Sequence, residues 1–124
     1  MFLQNKDTGK HGEELAAKYL KKKKFTILAR NYRKKYGELD IIATIDKELI
    51  FIEVKTRTSN RYGDPAEAVT PSKQKQIIRV AQAYLAENEL FDASIRFDVV
   101  SVVCAKHTPP IISHIENAFQ LENW

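Results

Sequence analysis

Asp40, Glu53 and Lys55 are the residues of this chain whose types and spacing can do chemistry together. They lie in the stretch 37–57, GELDIIATIDKELIFIEVKTR. Residues 38–45 and 48–55 are rich in Ile, Leu, Phe and Val, as strands are, and Asp46-Lys47 between them reads as a tight turn. In an antiparallel hairpin on that turn, Ile45 faces Glu48, Asp40 faces Glu53 and Glu38 faces Lys55. Asp40 and Glu53 then share a face, with Cβ atoms about 5 Å apart. Two opposed carboxylates repel, so the arrangement needs compensation. A divalent cation bridging Asp40 and Glu53 is the economical answer, since hard cations take oxygen ligands. The plain alternative is a set of ion pairs, Glu38 with Lys55 and Asp40 with Arg57 or another base. An acid-x-Lys on a strand is by itself commonplace.

The elements that must position these groups follow from the pattern around them. Ile42 and Phe51 share the face of Asp40 and Glu53, while Leu39, Ile41, Ala43, Ile45, Ile50, Ile52 and Val54 form the other face. A sheet apolar on both sides is usually covered on both sides. Ahead of it, Asp7 or Thr8 can cap a helix that runs to about Lys23. Gly9, Ala16, Ala17 and Leu20 fall within about 60° of Glu13 on that helix, and Glu14, Lys18 and Lys21 fall on the other side. Glu13 thus sits in the small-residue face that should pack on the sheet, where a carboxylate is costly unless paired or bound to metal. Against this, an acid in the first turns of a helix suits the dipole and can reach water. Both readings stand at this level, with Glu14 as the solvent-side control.

A strand over 25–32 leads into Arg30, Arg33, Lys34 and Lys35, interleaved with Tyr32 and Tyr36, a mixture that suits backbone contact plus stacking on nucleic acid. Lys21 to Lys24 read as a solvated helix end. The segment 56–70 has no sustained period and carries Arg57, Arg61, Gly63 and Pro65; loops of that length in a small domain are usually functional or mobile. Thr70-Pro71 opens a second helix that should end near Asn88, with Ile77, Ala81, Tyr84 and Leu85 inward and Lys73, Lys75 and Arg79 elsewhere. Residues 95–104 form a strand in which Asp98 pairs with Arg96, and Pro109-Pro110 precede an edge strand over 111–115.

With 124 residues, 44% apolar and 29% charged, the chain fits one soluble domain over 1–124. Its core spans 9–103, with a C-terminal edge strand and tail over 109–124. No run of about 18 apolar residues exists, so no membrane partner is expected. The single Cys104 and the absence of a secretory leader point to the cytoplasm. His11, His107 and His114 lack metal-ligand spacing. A net charge of +4 is a mild bias towards anionic partners.

Asp40 followed by Glu53-Val54-Lys55 resembles the PD-(D/E)xK nuclease pattern, with Leu39 where a proline often stands. Gly9-x-x-x-Glu13 and Phe25-Thr26-Ile27-Leu28 resemble the opening of archaeal Holliday junction resolvases. More closely, Gly9-x-x-Gly12-Glu13, Tyr19-Leu20, Asn31-Tyr32-Arg33, Gly37-Glu38-Leu39-Asp40, Phe51 to Arg57 and Arg96 to Val100 resemble the YraN family of bacterial proteins, across roughly 9–103. The resemblance implies an α/β, restriction-endonuclease-like fold: a central mixed sheet flanked by helices, in the order α-β-β-β-α-β-β. It also implies a metal-dependent endonuclease on structured or branched DNA, with Asp40, Glu53 and Glu13 around Mg²⁺ or Mn²⁺, Lys55 as catalytic lysine and Glu38 holding Lys55 in place.

Arg33, Lys34, Lys35, Arg57, Arg61, Lys73 and Lys75 are the expected nucleic-acid contacts. The expected partner is nucleic acid, DNA first, and a homodimer is a candidate assembly. Two other readings compete: a non-catalytic nucleic-acid-binding module with a nuclease-like fold, and a structural protein whose charges form an internal salt-bridge network.

Overall fold

The computed structural model describes residues 5–58 and 69–120, with side chains from Gly9 onward. Arg61 and Trp124 lie outside the described residues. The elements are α1 (Asn5–Lys22), β1 (Thr26–Lys34), β2 (Gly37–Ile45), β3 (Glu48–Arg57), α2 (Pro71–Glu87), β4 (Ile95–Val103) and β5 (Ile111–Phe119), in the expected α-β-β-β-α-β-β order. The strands form one mixed sheet ordered β1-β2-β3-β4-β5. Neighbours are antiparallel except β3 and β4, which are parallel. A parallel step needs a long crossover, and α2 lies within it.

Asp46 and Lys47 both take positive φ, 49° and 67°. That two-residue turn matches the twist of the flanking strands. It sets Ile45 opposite Glu48, and the ladder runs back to Ile41 opposite Ile52, in the register the turn predicts. Thr70 caps α2 by accepting the Lys73 N–H (3.2 Å), with Pro71 in the first turn.

Helices cover both faces of the sheet. On one, Ala16, Ala17 and Leu20 of α1 pack with Ile41, Ala43, Ile50, Ile52, Val100 and Val102. On the other, Ile77, Ile78, Val80 and Ala81 of α2 pack with Leu39, Ile42, Phe51, Phe97 and Val99.

Four local readings change. Asp7 and Thr8 lie inside the first helix, which is described from Asn5, and do not mark its start. Leu39 packs with Ile42 and Phe51, not with Ile41, so side-chain alternation slips by one at Asp40. Glu38 does not hold Lys55, for the reason given with the site below. The last strand runs through to Phe119 instead of stopping near 115, because buried Asp98 anchors it. The Asn117 N–H donates to Asp98 Oδ1 (2.9 Å) and His114 Nε2 to Asp98 Oδ2 (2.7 Å). Arg96 makes the expected internal pair, with Nε and Nη2 at 2.8 and 2.9 Å from the two Asp98 oxygens. Burial pushes the Asp98 carboxyl up, but the bonds from His114, Arg96 and Asn117 outweigh it and leave it below its ordinary value.

Gly12 sets how closely α1 approaches β3. A Cβ there would lie 1.9 Å from Thr56 Oγ1 and 2.7 Å from its Cγ2. Overpacking of that kind typically costs about 1–3 kcal/mol. Gly12→Ala is therefore expected to lower the urea midpoint by a corresponding amount and to push the neighbouring Glu13 away from the sheet. An unchanged midpoint would mean that Thr56 swings aside freely.

Candidate metal centre

The slip at Asp40 gathers acids at one end of the hairpin. Glu13 on α1 and Glu38 and Asp40 on β2 each offer a carboxylate oxygen, all within 4.8 Å of one another. Among the described residues this is the only such group of His, Cys, Asp or Glu. Asp40 also reaches the neighbouring strand. Its Oδ2 accepts the Val54 N–H (2.7 Å), and its carboxyl is hydrogen-bonded to that of Glu53. Two carboxyls can share such a bond only if one keeps a proton. Burial, then the bond to Glu53 and its charge, push Asp40 up to about 9 from an ordinary 3.8. Burial, then the charges of Asp40 and Glu38, also raise Glu13. Glu53 is itself buried, 5% exposed, and Lys73 Nζ stands 3.5 Å from its Oε2.

Asn31 lies over the cluster. With its amide nitrogen turned to the acids it donates to Glu38 Oε1 and Glu13 Oε1, both at 2.9 Å, whereas the reverse orientation sets oxygen against oxygen. Asn31 has φ 53° within β1. Asn is among the few residues that tolerate this left-handed region. Sequence reasoning passed over it as a site residue; the available signal was a poor strand former amid strand formers.

The remaining expected residues divide clearly. Glu13 meets Asp40 as the helix-face reading requires, while its neighbour Glu14 is 58% exposed and pairs with Arg30 (2.7 Å), whose hydrogen bond lowers its pKa. Glu53 meets Asp40 but falls outside the close trio. Glu38 joins the acids instead of holding Lys55. The paired residues of β2 and β3 end at Ile41 opposite Ile52, and Glu38 lies across from Arg33 on β1. Arg33 Nε and Nη2 donate to Glu38 Oε2 at 3.2 and 3.0 Å. Lys55 is half-buried on β3 opposite Ser101, with no ion pair among the described residues.

Arg33, Lys34, Lys35 and Lys73 line a groove of about 350 Å³ with Tyr36, Gln76 and Glu38. Within it Lys34 is ion-paired to Glu87. Lys75 is exposed on α2, and Arg57 is half-buried at the end of β3. A second opening, about 420 Å³, is lined by Lys10, Glu13, Glu14, Arg30 and Asn31. The acids thus contribute to two openings, Glu13 to one and Glu38 to the other. None of the described helices is long and apolar enough to cross a membrane.

Comparison with known proteins places this arrangement in a family. The profile of the uncharacterised protein family UPF0102 matches residues 12–102, which include Glu13, Glu38, Asp40, Glu53 and Lys55. A UPF0102 protein of Geobacter metallireducens is 48% identical over 121 residues, 98% of each chain. One of Geotalea uraniireducens is 48% identical over 117 residues, 94% of this chain and 92% of its own. One of Clostridioides difficile is 45% identical over 117 residues, 94% of this chain and all of its own. Matches at this identity over nearly the full length leave one assignment: the chain belongs to the UPF0102 family.

Proposed function

We propose that this protein is a Mg²⁺- or Mn²⁺-dependent endonuclease that hydrolyses phosphodiester bonds in structured or branched DNA. The observation that carries the reading is Asp40: half-buried, bonded to Glu53 across the hairpin, and with a carboxylate oxygen within 4.8 Å of those of Glu13 and Glu38. Folding has gathered like charges that must be neutralised, and the donors are all carboxylate oxygens. Such a set fits a hard divalent cation. Asp40, Glu53 and Glu13 would hold it, with Glu38 alongside. Bound there, the cation would polarise the scissile phosphate and lower the pKa of a water.

The chain's own groups supply the rest. Lys55, two residues beyond Glu53, would orient the attacking water and offset charge growing on the phosphate. Arg33, Lys34, Lys35, Lys73 and Lys75, with Arg57 and Arg61, would hold the backbone of the nucleic acid. The likeness of Asp40 and Glu53-Val54-Lys55 to PD-(D/E)xK nucleases, and of the opening helix to Holliday junction resolvases, supports the same role. The basic groove alone fits a non-catalytic binding module equally well; the cluster of Glu13, Glu38, Asp40 and Glu53 beside it does not, because its negative charge would repel the phosphate such a module would hold.

Metal binding tests the reading without requiring turnover. Glu13→Gln is expected to weaken Mn²⁺ binding about tenfold or more, while Glu14→Gln, altering an exposed residue paired with Arg30, leaves it unchanged. Calorimetric Mn²⁺ titration of the three proteins decides. Equal losses from both variants, or none from either, would remove Glu13 from the site. DNA affinity insensitive to Mn²⁺ in the unaltered protein would favour the binding module.

A further inference from the structure

We infer that Lys73 has two partners: Glu53 in the ion-free protein, and a phosphate of the nucleic acid once a divalent cation has taken Glu53. The inference rests on the nuclease reading above and adds to it a residue that couples metal binding to substrate binding. Lys73 lies in the first turn of α2, held by the Thr70 cap, and its Nζ reaches Glu53 Oε2 at 3.5 Å. The two ends of the pair differ sharply in environment: the Lys73 side chain is 36% exposed, that of Glu53 6%. The ammonium thus stands at the boundary between a buried acid and the open basic groove it lines with Arg33, Lys34 and Lys35.

A 3.5 Å contact is at the long end for a charge-assisted bond, so the pair is loosely made. It nevertheless supplies positive charge beside a buried carboxylate. A divalent cation on Asp40 and Glu53 would supply the same charge and repel the ammonium. Lysine carries its charge on a flexible stem and changes partner readily. The nearest open volume is the groove, at the N-terminal end of a 17-residue helix, where the dipole also favours an anion. Of the groove's bases, Lys34 holds Glu87, outside the acid cluster, whereas Arg33 holds Glu38 within it and Lys73 holds Glu53, the buried acid that the proposed cation would take. Lys55 differs, having no ion pair among the described residues to exchange.

The test compares wild type, Lys73→Met and Lys73→Arg, each first checked by thermal melting. Binding of a fluorescent four-way DNA junction is followed by anisotropy in EDTA and in Ca²⁺, and Mn²⁺ binding is measured separately without DNA. Lys73→Met should lose less DNA affinity in EDTA than in Ca²⁺. In Ca²⁺ it should lose about tenfold, as one charge-assisted phosphate contact is worth, with a salt slope shallower by about one. It should also bind Mn²⁺ several-fold more tightly, because a competing charge is gone. Lys73→Arg should restore the Ca²⁺-dependent affinity. If Lys73→Met melts early, Lys73→Gln takes its place.

Equal losses with and without Ca²⁺ would make Lys73 an ordinary surface contact and overturn the exchange. So would Mn²⁺ affinity that is unchanged or weaker. Wild type that binds no DNA in either buffer would overturn the nuclease reading along with it. Wild type that binds while Lys73 has no ion-dependent effect would overturn this inference alone.

Discussion

Asp40→Asn is expected to abolish divalent-cation binding and cleavage, by a hundredfold or more, while making the ion-free protein more stable at alkaline pH. The two effects share one cause. Asp40 is half-buried against Glu53, and its carboxyl is pushed up to about 9 where the unfolded chain would have about 3.8. The folded state therefore keeps a proton that the unfolded state gives up. The stability this contributes is complete below 3.8 and is lost as pH rises through about 9. Asparagine does not titrate. Its carbonyl can still accept the Val54 N–H and its amide can donate to Glu53, so both bonds survive. The variant should gain on wild type as pH rises, by about 1 kcal/mol or a few degrees of melting temperature near pH 9. The same change removes the negative ligand at the centre of the cluster. Melting in EDTA at pH 5 and pH 9, with Mn²⁺ titration alongside, checks both halves. A variant less stable than wild type at both pH values would mean that Asp40 is a structural acid, not a strained one.

Lys55→Ala is expected to separate catalysis from binding. Its ammonium would repel a cation on Glu53, so it adds nothing to holding the metal. Its value lies where charge grows during attack on phosphorus, an interaction confined largely to the transition state. Loss of one such group commonly costs about a hundredfold in rate. Cleavage should fall by about that factor, while Mn²⁺ affinity stays level or improves and the melting temperature holds. Stability should be spared because Lys55 is half-buried and has no ion pair among the described residues. If Lys55→Ala unfolds the protein, its charge is structural and the salt-bridge network explains the cluster. If a measured cleavage rate does not change, Lys55 has no part in the chemistry.

The features legible in the sequence are those set by short-range geometry. A two-residue turn at Asp46-Lys47 determines the hairpin register as far as Ile41 opposite Ile52, which brings Asp40 and Glu53 to the same end of the hairpin. Helical spacing puts Glu13 inward and Glu14 outward without knowledge of what α1 packs on. Thr70-Pro71 marks the start of α2 through local chemistry alone. What escaped depends on contacts between elements. The slip at Asp40 breaks the strict alternation from which faces are read. Glu38 takes Arg33 because β1 lies on that side, and strand pairing assumed only between β2 and β3 cannot reveal it. Asn31 reaches the acids through a left-handed residue inside a strand. Lys73 meets Glu53 across a long connection, and spacing along the chain carries no sign of that meeting. The end of β5, Glu116 to Phe119, is not legible in the sequence, since its anchor is the distant Asp98.

The most direct measurement is cleavage of end-labelled duplex, flap, fork and four-way junction DNA by purified wild type and Asp40→Asn, in Mg²⁺, Mn²⁺ and EDTA. The predicted result is cutting of at least one branched substrate by wild type in Mg²⁺ or Mn²⁺, none in EDTA, and none by Asp40→Asn in any buffer. Wild type that cuts no substrate with either ion, or cutting that persists in Asp40→Asn, would contradict the assignment of a metal-dependent nuclease centred on Asp40.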